Sequence, residues 1–183
     1  MRTKVLQLIA FPLALSVVAP ASASLAPGAT APDFTTQGAL AGKEFTLKLK
    51  DALKKGPVVL YFFPAAFTPG CSAEARAFAE ATPEFKAAGA TVIGMSADPI
   101  DKLQDFSTKD CASKFTVASA TPQVISGYDV ALTFKGKTVT NRTSYVIAPD
   151  GKILFVHSEM SPANHVKTTL EAVKAWQAAH KKA

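Results

Sequence analysis

The sequence predicts an α/β fold in which a mixed central sheet carries helices on both faces. Short β-branched and aromatic runs alternate along the chain with segments of helical periodicity, a pattern typical of strands that are connected by helices. The series ends with a hairpin pattern and one long helical segment, so part of the sheet is expected to be antiparallel. Neither internal repeats nor low-complexity tracts interrupt this pattern.

Turn and cap residues delimit the predicted elements along the chain. The predicted strands cover about 43–47, 57–63, 90–97 and 115–118, and two hairpins pair about 132–134 with 137–140 and 144–148 with 152–157. The predicted helices cover about 49–55, 69–88, 99–109, 122–127 and 161–179. Lys135-Gly136 and Pro149-Asp150-Gly151 supply the hairpin turns. The residues before the first of these strands are expected to form an exposed opening.

The first 23 residues have the pattern of a secretory signal peptide. Met1–Lys4 is basic, Val5–Ala19 is apolar, and Ala21–Ala23 matches an Ala-x-Ala cleavage site. The apolar run of about 15 residues is shorter than the roughly 20 that a membrane span needs. We therefore expect cleavage after Ala23 and a periplasmic or secreted product. Residues 24–183 are then enough for one compact domain with a hydrophobic core.

Composition argues against several function classes. The formal net charge is +6, but the basic residues are scattered and form no stripe interleaved with aromatics, so nucleic-acid binding has little support. His157, His165 and His180 lack the paired spacing of metal ligands. No glycine-rich phosphate loop or dinucleotide fingerprint is present. We therefore expect neither a metal nor a cofactor.

One cysteine is predicted to lie in the first turn of a helix. The apolar strand 57–63 must stop at Pro64, Thr68 is a good N-cap, and Pro69 fits the first helical position. Cys71 would then be the third helical residue. Unpaired backbone N–H groups and the positive end of the helix dipole favour a thiolate over a thiol at this position.

The helix terminus by itself is too weak to activate a thiol. Making a thiolate the dominant form at neutral pH takes roughly 3.4 kcal/mol of preferential stabilisation, whereas a helix terminus supplies about 0.3–2 kcal/mol. A cation is therefore expected near the sulfur. The alternative is that Thr68-Pro69-Gly70 merely starts a helix and that Cys71 is a small buried hydrophobic residue.

The segment around Cys71 also resembles the active-site segment of the peroxiredoxins, the AhpC/TSA superfamily. The pattern Pro64-x-x-x-Thr68-x-x-Cys71 directly follows a hydrophobic strand, and residues 68–74 are similar to the bacterioferritin-comigratory, or PrxQ-type, branch. The segment from Arg142 to Gly151 resembles the arginine-bearing strand and turn of the same family. The likeness extends over about residues 25–180.

The resemblance implies a thioredoxin-like fold and a thiol-dependent peroxidase that reduces hydrogen peroxide and organic hydroperoxides. The Cys71 thiolate would attack a peroxide oxygen and become a sulfenic acid. Thr68 would hydrogen-bond the peroxide, Arg142 would stabilise the thiolate and the developing charge, and Pro64 would shield the thiolate from water. Glu74 would contact these groups, and not the peroxide itself, and help to position them. The resemblance also implies a hydroperoxide substrate, an external thiol reductant such as a thioredoxin-like protein or a small thiol, and a monomer.

Cys111 is the only intrachain partner that the sequence offers to Cys71. The PrxQ-type branch often places a second, resolving cysteine five positions after the first, where this chain has Arg76. Other members carry it on the following helix, near the location of Cys111, so the resemblance implies that Cys111 resolves the sulfenic acid as a disulfide. Two alternatives stay open: a permanent structural bridge in an exported protein, and a one-cysteine peroxidase with Cys111 as bystander.

Two other function classes compete with the peroxidase. A thiol–disulfide oxidoreductase is expected to carry Cys-x-x-Cys, but Glu74 occupies the position of the second cysteine. A non-enzymatic redox sensor or interaction module would react with peroxide once per molecule, whereas an enzyme turns over with a reductant.

Overall fold

The computed structural model describes residues 24–180, so the predicted signal peptide lies outside the described residues. Its strands are β1 (Thr35–Leu40), β2 (Lys43–Lys48), β3 (Val58–Phe62), β4 (Thr91–Ser96), β5 (Thr116–Ser119), β6 (Ala131–Phe134), β7 (Lys137–Thr140), β8 (Thr143–Ile147) and β9 (Ile153–Ser158). Its helices are α1 (Leu49–Leu53), α2 (Pro69–Ala87), α3 (Ile100–Lys109), α4 (Pro122–Gly127) and α5 (His165–His180). No helix within this range is long and apolar enough to span a bilayer.

Seven of these strands form one mixed sheet in the order β2-β1-β5-β4-β3-β8-β9, and β6 and β7 form a separate hairpin. β3, β4 and β5 are parallel neighbours, and α2 and α3 connect them. β8 is antiparallel to β3, and β9 is antiparallel to β8. The predicted α/β class with a mixed central sheet is therefore confirmed.

The core is divided by β3, which is buried on both faces of the sheet. Val58, Leu60 and Phe62 pack in one cluster with residues of α1 and α4, whereas Val59 and Tyr61 pack in a second cluster with residues of α2, α3 and α5. A strand that is covered on both faces has no polar side, which explains the continuous apolar run in the sequence.

β1 is the strand that the sequence prediction lacked, because an exposed opening was expected there. Its sequence, Thr-Thr-Gln-Gly-Ala-Leu, has few of the β-branched and aromatic residues that favour strands. Gly38 permits the close packing, since a Cβ at this position would lie 3.2 Å from the Cβ of Leu47 and 3.3 Å from the ring of Phe45. Packing against neighbouring strands, rather than intrinsic propensity, therefore determines β1.

The strand order brings three chain segments together at one end of the sheet. Phe62 at the end of β3 is paired with Met95 near the end of β4 and with Thr143 at the start of β8. The loop 63–68, the residues after β4 and the residues directly before β8 therefore meet at this end. Ligands of open α/β sheets commonly bind beyond the carboxyl ends of parallel strands.

Candidate active site

Cys71 lies where the chain turns from β3 into α2. Thr68 has extended backbone angles and precedes the helix, and Pro69 is the first helical residue, which agrees with the predicted helix start. The N–H of Ser72 donates to the carbonyl of Thr68 at 2.8 Å and closes the first turn. Cys71 is only 2% exposed. The unpaired N–H groups of this turn favour an anion at its sulfur.

Arg142 brings a positive charge to this sulfur. It directly precedes β8, and the antiparallel pairing of β8 with β3 carries it to the loop that follows β3. Its Nη2 lies 3.4 Å from the Sγ of Cys71, its Nη1 donates to the carboxylate of Glu74, and its Nε donates to the carbonyl of Met160 at 2.9 Å. Arg142 is 5% exposed, so it is not a surface charge at a strand start.

The guanidinium of Arg142 keeps its charge in this buried position. Burial alone would lower the pKa of Arg142, but the Glu74 carboxylate and the Cys71 sulfur outweigh burial and raise the pKa. Glu74 and the carbonyl of Met160 therefore hold the guanidinium of Arg142 beside the sulfur of Cys71, where a thiolate needs a cation.

Glu74 and His165 form a buried pair behind Arg142. Burial raises the pKa of Glu74 to about 7, although Arg142 acts in the opposite direction. Its free oxygen, Oε1, lies 3.7 Å from the Nδ1 of His165. His165 Nδ1 is 2.8 Å from the Oγ of Ser144, and Nε2 is 2.9 Å from the carbonyl of Glu159. Because a carbonyl only accepts, Nε2 carries the proton of the neutral ring, and the lone pair of Nδ1 accepts the hydrogen bond of the Ser144 hydroxyl.

Thr68 occupies the predicted N-cap position, but its side chain does not cap the helix. Its Oγ1 donates instead to the carbonyl of Ala65 at 2.9 Å. Since the hydroxyl hydrogen is used, the oxygen lone pairs remain able to accept a hydrogen bond from a ligand. Pro64, at the start of the same loop, is half-buried.

Phe67, in the same loop, is an exposed aromatic residue. It is 42% exposed, and its ring meets the ring of Phe106 edge-on at a centroid distance of 5.2 Å. The Nζ of Lys109 lies 5.9 Å from the centroid of the Phe67 ring. The backbone φ of Phe67 is 66°, a left-handed conformation that is uncommon for a bulky residue and often found at functional sites.

Cys111 lies just after α3 in the same core cluster as Cys71, and both cysteines are free thiols. Cys111 is fully buried, and burial, together with the neighbouring Asp110 carboxylate, raises the pKa of its thiol. The hydroxyl of Tyr61 is also buried and has no hydrogen-bond partner among the described residues. Burial raises the pKa of Tyr61 well above its usual value, and Cys111, Glu74 and Cys71 act in the same direction.

The structure thus brings five of the predicted site residues to one end of the sheet and places the sixth, Cys111, in the core cluster that also contains Cys71. Sequence reasoning missed His165 and Tyr61, because a histidine at a helix start and a tyrosine inside a strand carry no local sign of a site. Within residues 24–180, no cluster of three or more His, Cys, Asp or Glu side chains has the arrangement of a metal site.

A buried thiol at a helix N-terminus after a central strand, beside a buried arginine, is characteristic of cysteine-dependent redox enzymes of α/β architecture. Residues 27–156 match the model of the AhpC/TSA family. The chain belongs to this family.

Named relatives make the class more specific. The chain is 34% identical over 121 residues to peroxiredoxin Bcp of Escherichia coli K12, which covers 64% of this chain and 78% of the relative. It is 31% identical over 149 residues to the chloroplastic peroxiredoxin Q of Oryza sativa subsp. japonica, which covers 81% of this chain and 66% of the relative.

Solved structures agree with this assignment. The crystal structure of peroxidoxin BcpB from Mycobacterium tuberculosis superposes with a TM-score of 0.74 at 34% identity, over 81% of this chain and 96% of that chain. Peroxiredoxin Q of Xanthomonas campestris gives a TM-score of 0.66 at 27% identity, over 77% and 90%. The predicted thioredoxin-like fold and the resemblance to the PrxQ-type branch are therefore confirmed, and the enzyme class is that of the peroxiredoxins, the thiol-dependent peroxidases.

Proposed function

We propose that this protein reduces hydrogen peroxide and organic hydroperoxides through Cys71 and closes a disulfide with Cys111 in each cycle. The observation that carries the proposal is the position of the Cys71 sulfur, in the first turn of α2 and 3.4 Å from a buried Arg142 nitrogen. Both features stabilise the anionic sulfur that attacks a peroxide.

The first step is a displacement at oxygen. The thiolate of Cys71 attacks one peroxide oxygen, so that an S–O bond forms as the O–O bond breaks, and the leaving oxygen takes up a proton and departs as water or an alcohol. The free lone pairs of Thr68 Oγ1 can accept a hydrogen bond from the peroxide O–H. Arg142 and the backbone N–H of Cys71 stabilise the charge that develops on the oxygens. Half-buried Pro64 limits the access of water to the sulfur.

The second step forms the disulfide. The thiolate of Cys111 attacks the sulfenic sulfur, an S–S bond forms, and the hydroxyl oxygen leaves as water. The two Cα atoms must come within about 4.4–6.8 Å. Both cysteines are buried in the reduced protein, so local opening of one or both segments accompanies the step. An external thiol then supplies two electrons and regenerates both cysteines. A thioredoxin-like protein or a small thiol would serve, in the periplasm or outside the cell if the N-terminus acts as a signal peptide.

One observation favours a second candidate, a one-cysteine peroxidase. Cys111 is fully buried beside Asp110, and both features disfavour its reactive thiolate. In that case an external thiol would reduce the Cys71 sulfenic acid directly, and Cys111 would have only a packing role.

Peroxide consumption by the mature chain with dithiothreitol separates these candidates. The variants are Cys71→Ser and Cys111→Ser, and turnover per protein molecule is measured with hydrogen peroxide and with an organic hydroperoxide. We expect turnover in the wild type and none in Cys71→Ser. An internal disulfide in the oxidised wild type supports the two-cysteine cycle, whereas its absence during continued turnover supports the one-cysteine cycle. If each protein molecule reacted with peroxide only once, the result would contradict an enzyme and would support a non-enzymatic redox sensor.

A further inference from the structure

A single buried carboxylate connects the segment of Cys111 to the helix of Cys71. The side chain of Asp110, directly before Cys111, is 6% exposed. Its Oδ2 accepts a hydrogen bond from the Oγ of Ser72 at 2.7 Å. Its Oδ1 accepts two from Arg76, at 2.6 Å from Nη2 and 3.1 Å from Nε. Both carboxylate oxygens are therefore bound by residues of the first two turns of α2.

The chain after Cys111 adopts a conformation that its residues do not favour by themselves. Ala112 and Ser113 have φ angles of 47° and 58°, two consecutive left-handed residues without a glycine. Two backbone hydrogen bonds, from Ser113 to Ser107 and from Lys114 to Cys111, hold this turn, each at 2.9 Å. Such a turn persists only where its surroundings fix it. The hydrogen bonds of Asp110 are its polar side-chain anchor to α2, and the buried side chains of Cys111 and Phe115 pack on either side of the turn.

Cys111 is out of reach in the same arrangement. Cys111 is fully buried while Asp110 is bound to α2, and the adjacent carboxylate adds to the effect of burial in raising the pKa of the thiol. In this arrangement Cys111 is protonated and enclosed, so it cannot attack a sulfenic acid on Cys71.

Ser72 joins the two cysteine segments mechanically, because it directly follows Cys71. Its N–H closes the first turn of α2, and its hydroxyl holds Asp110. Unwinding the turn that carries Cys71 therefore moves Ser72 away from Oδ2 and removes one of the two supports of the carboxylate. Arg76 is the other support, and its side chain is 65% exposed.

We propose that Ser72, Arg76 and Asp110 form a latch that keeps Cys111 enclosed while Cys71 is helical and that opens when the first turn of α2 unwinds. Arg76 and Asp110 are then positioning residues for the disulfide step. The latch is a property of the reduced protein, and only its use in the catalytic cycle rests on the proposed function.

The latch is tested first without peroxide chemistry. In a Cys71→Ser background, the alkylation rate of Cys111 by iodoacetamide is measured for Arg76→Ala and Ser72→Ala. We expect each to increase the rate by about tenfold or more, because each removes hydrogen bonds to a buried charge. Arg76→Lys, which keeps the charge, should restore part of the protection. Lys174→Ala removes an exposed ion pair between α5 and α2 and is the matched control. Rates equal to that of this control in both variants would overturn the latch.

The second test uses the chain with both cysteines. After one equivalent of hydrogen peroxide, Arg76→Ala should form the internal disulfide faster than the wild type, and in excess peroxide it should accumulate less sulfinic acid on Cys71. Faster alkylation without a disulfide in any variant would support the latch and contradict the role of Cys111 in the cycle. A disulfide that forms equally fast in all variants, with unchanged alkylation, would overturn the latch and leave the proposed function intact.

Discussion

Glu74 and His165 are expected to give the folded protein two opposite pH dependences of stability. Burial raises the pKa of Glu74 from 4.5 to about 7, so between these values the folded protein holds a proton that the unfolded chain has released. Burial lowers the pKa of His165 from 6.5 to about 4, so there the unfolded chain holds the additional proton. Acidification therefore stabilises the fold through Glu74 and destabilises it through His165.

The magnitudes follow from the two pKa values. Each lies about 2.5 units from its ordinary value, which corresponds to at most about 3.4 kcal/mol per group. Between pH 8 and pH 5, the Glu74 contribution adds about 2.5 kcal/mol to the free energy of unfolding and the His165 contribution removes about 2 kcal/mol. The two contributions nearly cancel in the wild type and become visible only when one group is removed.

The perturbations are Glu74→Gln and His165→Asn, and urea unfolding followed by circular dichroism at pH 8 and pH 5 is the assay. Exposed residues on the same helices provide matched controls, Glu80→Gln for α2 and His180→Asn for α5. Relative to its control, acidification should stabilise Glu74→Gln by about 2.5 kcal/mol less and His165→Asn by about 2 kcal/mol more. If the free energies of unfolding of both variants changed with pH as those of their controls do, the assignment of these two protonation states would be refuted.

Three further substitutions test individual contacts. Thr68→Val should slow peroxide consumption on the order of a hundredfold, whereas Thr68→Ser, which keeps the hydroxyl, should stay within about tenfold of the wild type; equal rates would contradict a role of the hydroxyl. Arg142→Lys should slow iodoacetamide alkylation of Cys71 by about tenfold or more, because one ammonium cannot replace a guanidinium that contacts Cys71, Glu74 and Met160 at once. An unchanged rate would contradict a role of Arg142 in stabilising the thiolate. Gly94→Ala should destabilise the fold by about 1–3 kcal/mol, because its Cβ would lie 2.8 Å from the Tyr61 hydroxyl. Gly127→Ala, whose Cβ would meet its nearest neighbour at 3.4 Å, is the control, and equal midpoints in chemical denaturation would argue against the clash.

Sequence reasoning succeeded where local chemistry determines the structure. Thr68 and Pro69 start α2 at the predicted residue because the N-cap and first helical positions have strong residue preferences. Pro149-Asp150-Gly151 connects β8 and β9 for a similar reason. The continuous apolar run of β3 was readable because both faces of that strand are covered.

Local reasoning failed where distant residues determine the outcome. β1 depends on the space that Gly38 leaves for Leu47 and Phe45. His165 reaches Glu74 only because α5 packs beside α2. Arg76 was noticed as a replacement for the cysteine of other family members, but its contact with Asp110 depends on where the sheet places the C-terminal end of α3 relative to α2. Such contacts are products of tertiary packing and leave no periodic signal in the chain.

The most direct test of the reaction at Cys71 is intact-protein mass spectrometry after one equivalent of hydrogen peroxide, in the absence of reductant. We predict that the wild type loses the mass of two hydrogen atoms, that Cys111→Ser gains one oxygen located on Cys71, and that Cys71→Ser remains unchanged. Oxidation of Cys71→Ser as fast as the wild type, or an unmodified Cys111→Ser, would contradict the assignment of Cys71 as the peroxide-reactive thiol.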